Sequence, residues 1–441
     1  MLIQKNTKDS LGFSLIETVI GIFILALISL SLYALINFTL KVIWESKAKI
    51  TATQLANSRI ELAMNLDYEN VGTLGGIPAG PIEQSETILR NGIEYTVATD
   101  VQYVDDEFDG TEDGDPDDLL PTDYKKIRVE VSWNYRLQSE PVILVTNIVP
   151  PGLESAVGGG TLKILVYDAE GVPVASADVT IDNTDVDPII GIDTQTDANG
   201  YVILPGSPES TEGYQISVTK SGYSSDQTYA TTPELPAPEK PHASIFEGQT
   251  TNISFAIDKP ADLNVTVQNE FGIPLSGVVF DVQGADIIGY DGETPIYRYD
   301  NSHTTNGLGQ INLTDVRWDS YTFTPTNGSP YDISETDPIQ PIDLLPDTNQ
   351  NLLITLDPNQ PHSALIIVKD INDSPLVDAT VHFYTASLDE TATTSDAGQT
   401  YFSPWEEATS TLEVSLDGYE DYIDEFELSG YHIEQIIMTV P

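Results

Sequence analysis

Two groups of residues in this 441-residue chain have the type and spacing for chemistry. The first is the run Asp105-Asp106-Glu107-Phe108-Asp109-Gly110-Thr111-Glu112-Asp113-Gly114-Asp115-Pro116-Asp117-Asp118. Calcium takes about six to eight oxygen ligands at roughly 2.3–2.6 Å, and closely spaced Asp in a Gly-containing loop supplies them. Asp105, Asp106, Asp109 and Asp113 are the candidate ligands. The spacing is not that of an EF-hand, and Mg²⁺ suits the run less well because it rarely takes an all-protein cage. Without an ion the same run is a solvated acidic loop. The second group is a single carboxyl, Glu17, set inside an otherwise apolar segment. A charge in a membrane helix costs about 2.5–3.5 kcal/mol on insertion scales, so it implies a partner of opposite charge.

Other chemistries find no residues. With no Cys, disulfides, thiolate nucleophiles and thiolate metal sites are excluded. His242, His303, His362, His382 and His432 are scattered along the chain. No Ser/His/Asp order, phosphate loop, zinc motif or paired-carboxylate constellation stands out, so no enzymatic activity is expected. The balance of 69 acidic against 18 basic residues, a formal charge of −51, excludes nucleic-acid binding, which rests on neutralising phosphates. From Thr161 onward there are 46 acids against 7 basic residues, and none of the latter after Lys369. With 40% apolar and 20% charged residues, the chain is globular rather than disordered, and its length allows roughly two to four domains.

The element that carries Glu17 is legible in the sequence. Thr18 to Leu40 is a run of 23 residues without a charge, long enough to cross a hydrocarbon core of about 30 Å. Before it stands a polar leader, residues 1–12, with Lys5 and Lys8 against Asp9; after it come Lys41, Lys47 and Lys49. The apolar run is too long for a secretory signal and ends in no small-x-small cleavage site. The helical pattern continues beyond the span, with Ala48, Ala52, Leu55, Ala56, Ile60, Ala63 and Leu66 at three- and four-residue steps. As one helix, Phe13 to Asp67 spans about 80 Å. Two helices with a bend near Trp44 fit the same pattern.

The junction Gly12-Phe13-Ser14-Leu15-Ile16-Glu17 resembles the processing motif of type IV pilins and pseudopilins. The resemblance implies that prepilin peptidase cuts between Gly12 and Phe13 and methylates the new amino group of Phe13. It also implies that Glu17 pairs with the N-terminal ammonium of a neighbouring pilin subunit during assembly. A long helix on a small antiparallel sheet is implied for residues 13–152, with the helix over 13–68 and the head over 69–152. Strand patterns at Glu94–Val104, Tyr124–Tyr135 and Pro141–Val149 fit that sheet, Val129, Val131 and Trp133 alternating with polar neighbours. Some pseudopilins carry calcium between sheet strands, which inclines the acidic run towards that ion.

A Gly-rich linker over 153–160 leads to a unit that occurs three times, expected over 161–259, 260–358 and 361–441. Each opens with an apolar strand, Leu162–Asp168, Leu263–Val267 or Leu365–Asp370, followed by a turn through Pro173, Pro274 or Pro375. Those prolines are 101 residues apart each time. A second turn recurs at Thr196-Asp197-Ala198-Asn199-Gly200, Thr305-Asn306-Gly307-Leu308-Gly309 and Ser395-Asp396-Ala397-Gly398. The units resemble the carboxypeptidase regulatory-like family of transthyretin-type β-sandwiches, a name that implies no peptidase activity. Lys163, Asn252 and Glu212 hold the residue types of a Lys–Asn isopeptide, although Lys163 alternates with core residues and reads better as a solvated side chain. Tyr290, Tyr297, Tyr299, Trp318 and Trp405 are adhesive contacts if they stand in exposed loops, and core or edge residues otherwise.

The fold class expected is multidomain: a transmembrane helix with an α+β head, then three all-β Greek-key sandwiches. The function expected is that of a minor pilin or pseudopilin in a type IV pilus-like filament, made in the cytoplasmic membrane and displayed at the cell surface. Its modules would serve attachment to a carbohydrate or protein ligand, or a tip role. Alternatives are a secretion-system pseudopilin and a membrane-tethered adhesin that enters no filament.

Overall fold

A single α-helix runs unbroken from Leu15 to Met64, past Trp44. The computed structural model describes residues 15–104, 122–135, 137–138, 140–150, 158–385, 388–403 and 408–441. Its contacts divide into two units, one before Gly158 and one from Gly158 onward. Within the helix, the hydroxyls of Ser29, Ser31 and Thr39 and the amide of Asn37 donate to carbonyls four residues earlier. These polar groups are therefore satisfied inside their own helix, as an apolar environment requires. Large apolar side chains from Val19 to Trp44 are exposed. Among the described residues this is one helix long and apolar enough to cross a membrane.

From Ala48 the same helix turns into a packing element. Ala48, Ala52, Ala56 and Ala63 are buried, their short side chains letting the backbone lie close to a sheet. That sheet is antiparallel in the order Ser85–Arg90, Ile93–Val104, Tyr124–Tyr135, Val142–Ile148. Period-two alternation puts Tyr95, Val97 and Val101 beside Ile127, Val129, Val131 and Trp133 on the helix side. Lys125 is in phase with that buried set and is only 1% exposed. Its ammonium donates to the carbonyls of Tyr68 and Val71 at 2.8 Å each and lies over the rings of Tyr68 and Tyr103. It thus pins the segment leaving the helix to the sheet. Burial lowers its pKa to about 8.

The remaining unit contains three modules, each a pair of facing sheets. In all three, the opening strand pairs in parallel with the closing strand: Gly160–Tyr167 with Thr250–Ala256, Ala261–Asn269 with Asn349–Pro358, and His362–Asp370 with Gly430–Met438. The second sheets are antiparallel and centre on Asp178–Asn183, Val279–Gly284 and Thr380–Tyr384. The chain is thus multidomain and mostly β after its N-terminal helix.

The 101-residue step has a structural cause. Pro173, Pro274 and Pro375 each bridge back to the end of their opening strand, at Tyr167, Gln268 and Lys369. The turn before each proline is closed by one side chain: Asp168, Asn269 or Asp370 accepts from two backbone amides. Beside it, the hydroxyl of Thr196, Thr305 or Thr394 donates to the carbonyl of Val174, Leu275 or Leu376. The glycine of the second turn approaches the opening strand so closely that a Cβ on Gly309 would sit 2.5 Å from the Val267 carbonyl oxygen, at a φ of +69°. Only glycine takes that position without strain.

Candidate functional site

The modules are joined in two different ways. Between the first and second lies a cleft of about 430 Å³ lined by charged and aromatic side chains. Asp226, on a short strand of the first module, has a side chain only 2% exposed. Its carboxylate accepts from Lys240 at 2.6 Å, from Arg298 of the second module at 3.1 Å, and from the amide of Ala256 at 3.2 Å. Arg298 donates in turn to Asp286 at 2.6 Å and to the Tyr229 hydroxyl at 3.1 Å. Arg317 reaches back across the same boundary to Ser224 Oγ at 3.2 Å and the Ala256 carbonyl at 3.0 Å. Backbone pairing completes the joint: Ala237 and Pro238 of the first module pair with Tyr290 and Gly289 of the second.

Burial pushes the Asp226 carboxyl up, but Lys240 and Arg298 outweigh it and hold the group below the usual carboxylate range. The charges here are shared in a network, Asp226 between Lys240 and Arg298 and Asp286 between Arg298 and Arg317, and no nucleophile stands beside a base among the lining residues. Chemically the cluster is a clasp. Lys240, Arg298 and Arg317 are three of only seven basic residues after Thr161, so the scarce cations of an acidic chain are concentrated at this boundary.

The second and third modules share apolar core instead. Leu365 and Ile367, on the opening strand of the third module, pack into the core of the second, with Tyr401 and Tyr431 against it. The other face of that strand, Ala364, Ile366 and Val368, fills the third module's own core. Hydrogen bonds lock the boundary. The Gln399 side-chain amide accepts from the Thr336 amide at 3.0 Å and donates to its carbonyl at 2.6 Å, imitating a strand partner. Asp332 accepts from Ser363 at 2.8 Å and from Tyr401 at 3.2 Å, and Tyr431 donates to the Ile333 carbonyl at 2.8 Å.

The residues singled out from sequence are placed as follows. Gly12 and Phe13, and the acidic set Asp105, Asp106, Asp109 and Asp113, lie outside the described residues. The acidic run is bracketed by Val104 and Tyr124, which are paired across the sheet. Glu17 lies on the first turns of the helix. Among the described residues no three His, Asp or Glu side chains are grouped to hold a metal ion. Lys163 and Asn252 are neighbours across the parallel pair on a partly exposed face, Lys163 over the ring of Tyr201. Glu212 is on the other sheet and bonds Ser244 through its amide, so no isopeptide environment forms.

Three of the aromatics considered for adhesion belong to the joint and the core. Tyr290 sits in the inter-module strand pairing, Tyr299 packs on the second module's core, and Trp318 lines the cleft under Arg317. Tyr297 is half-buried in the strand paired with Ile287–Asp291, and Trp405 is outside the described residues. Sequence reading missed both joints. One signal was present: where the first two opening strands carry Lys163 and Asn264, the third carries Leu365, giving an unbroken apolar run from Ala364 to Val368. Such a run marks a strand buried on both faces.

No protein-family model matches the chain, and no curated protein matches it. Among solved structures, the Bacillus anthracis TIE protein is 14% identical, over 82% of this chain and 74% of that one, with a TM-score of 0.19. A streptococcal ancillary pilin is 12% identical, over 64% of this chain and 99% of its own, with a TM-score of 0.18. The Bacillus cereus major pilin subunit BcpA is 11% identical over 64% and 100%, with a TM-score of 0.17. Likeness at this level does not place the chain in their family.

Proposed function

We propose that the chain is a minor pilin or pseudopilin subunit of a type IV pilus-like filament, carrying three β-sandwich modules for surface attachment or a tip role. The observation that carries this reading is the division of labour along one helix. Its first half exposes large apolar side chains, and its second half lays Ala48, Ala52, Ala56 and Ala63 on a small antiparallel sheet. That is the arrangement the Gly12–Glu17 motif implies: an apolar half for the membrane and then a filament core, and a head held outside it. On this reading prepilin peptidase releases and methylates Phe13, and Glu17 meets the ammonium of another subunit, a pairing that offsets the cost of a carboxylate in lipid. Calcium held by Asp105, Asp106, Asp109 and Asp113 belongs to the same reading. The modules have a spacing and binding role rather than a catalytic one.

The test is intact mass and N-terminal sequencing of the protein from sheared surface filaments. A chain beginning at methylated Phe13 in that fraction is the expected result. A chain retained in the envelope with the same processing favours the secretion pseudopilin. One that keeps residues 1–12 and stays in the membrane overturns filament assembly and leaves a tethered adhesin.

A further inference from the structure

We infer that the closing strand of the third module, Gly430–Met438, is a docking edge. It takes an extended segment of a partner protein, basic and apolar in alternation, by strand addition. The chain itself supplies the comparison. Each module ends in an equivalent strand, paired in parallel with its opening strand, and the far edges of these three strands differ. In the second module that edge is filled by Tyr331–Asp337, which pairs antiparallel with it. In the first, side chains cap it: the amide of Ala256 donates to Asp226 and its carbonyl accepts from Arg317. In the third, no described strand pairs on the far side, and Glu420 bonds Thr439, beyond the strand, its amide donating to the carbonyl and its carboxylate accepting from the hydroxyl.

The open edge is lightly protected. It is nine residues long and contains no Pro, Lys or Arg, which commonly blunt edges; its one acid, Glu434, is in phase with buried Ile436 and Met438 and is held by His432 at 2.9 Å. Its exposed face carries Ile433 and Ile437, 50% and 55% exposed, in phase with Tyr431 and with Gln435 between them. On the neighbouring strand Leu365 and Ile367, the register partners of Ile433 and Gln435, are buried by the second module, so the apolar stripe extends beyond the surface that module covers as far as Lys369, which pairs in register with Ile437 and is held by Asp373. An added strand would cover the rest.

Charge selects the partner. From Ile371 to Pro441 there are 15 acidic residues and no Lys or Arg. The edge strand of the facing sheet, Tyr422–Leu428, is joined to the docking edge by Ser429 and carries Asp424, Glu425 and Glu427. A second copy of this chain would bring the same acids, which disfavours self-pairing; Lys or Arg between apolar residues matches both features.

The test uses the full-length protein in detergent and a fluorescent nine-residue peptide of alternating Val and Lys. Two control peptides replace every Lys by Glu, or the central Val by Pro at unchanged charge. Binding is read by anisotropy, and its location by hydrogen exchange over Tyr431–Met438. The Val/Lys peptide is expected to bind and slow exchange there, with both controls about tenfold weaker or worse. The double variant Ile433→Glu/Ile437→Glu should also lose about tenfold while melting as the parent does, since both side chains are exposed. Absence of binding, equal binding of the Glu or Pro peptide, unchanged exchange in this strand, or full binding by the variant each overturns the proposal. So does a concentration-dependent dimer that protects this strand without peptide, which would make a second copy the occupant. None of these outcomes depends on cleavage at Phe13, so the edge and the filament reading stand or fall separately.

Discussion

Asp226 and Arg298 lie 72 residues apart and in different modules, yet carboxylate and guanidinium meet at 3.1 Å. Around that contact the chain has gathered three of the six Lys and Arg residues of its first two modules. The other boundary is built mainly of leucine, isoleucine and tyrosine, locked by the hydrogen bonds of Gln399 and Asp332. Two joints in one array therefore respond to different perturbations.

Asp226→Asn should loosen the first joint. It leaves Arg298 and Lys240 without the carboxylate they share, and breaking a largely buried pair costs about 2–5 kcal/mol. Calorimetry should show the first module melting at a lower temperature than the other two. The pH dependence has a defined sign. A carboxyl held below its unfolded pKa contributes stability above the ordinary carboxylate range and loses it as pH falls through the folded value. The joint should therefore hold at neutral pH and release only in strong acid.

Leu365→Ala should act on two modules at once. The side chain is 2% exposed and belongs to the second module's core although its strand opens the third. Truncation of a buried Leu costs about 2–5 kcal/mol. The expected result is a joint fall in the melting of the second and third modules with the first unchanged; a fall confined to the third would refute the shared core.

Gly309→Ala tests the turn that recurs in every module. Positive φ and a Cβ within 2.5 Å of the Val267 carbonyl oxygen leave no relaxed position for the methyl group. Strain of this kind costs about 1–3 kcal/mol. Urea unfolding should show a lower midpoint, whereas Gly292→Ala, where a Cβ meets nothing within 4 Å, should cost less.

Asp100→Asn should stabilise the head at neutral pH. Burial raises the Asp100 pKa to about 6, against the smaller opposing pull of Arg128 and Lys126. Arg128, its partner in register, is hydrogen-bonded to Glu130 at 2.6 Å. With the folded pKa above the unfolded one, stability falls as pH rises from about 4 to 6 and stays reduced above that. The amide removes this penalty, about 1–3 kcal/mol at pH 7. A head no more stable than the parent at pH 7 would argue against a buried charge at this position.

How far the sequence reaches is clear from particular elements. The alternation of Val129, Val131 and Trp133 located a strand to the residue, Tyr124–Tyr135, because a half-buried strand imposes period two on its own sequence. The three prolines located three equivalent turns for a similar local reason. Glu17 and the acidic run stood out by composition alone. The joints did not, because an ion pair between Asp226 and Arg298 leaves no local pattern: either residue alone resembles a solvated charge. Leu365 was legible as an apolar residue, but not which of two cores it entered. Tyr290 looked like a loop residue for the same reason, since a strand shared between modules is short and obeys no period within either; Trp318 does stand in a turn, and what was hidden is the Arg317 above it.

The strand His362–Asp370 also imposes an order on biogenesis. Synthesis delivers the chain from its N-terminus. The first module can close once Ala256 is available, because its parallel partner strand ends there. The second can lay down all its own strands and still lack Leu365 and Ile367, which arrive with the module behind it. The last two modules therefore mature in one step, and a ribosome stalled between them leaves an unfinished apolar surface open to chaperones and proteases.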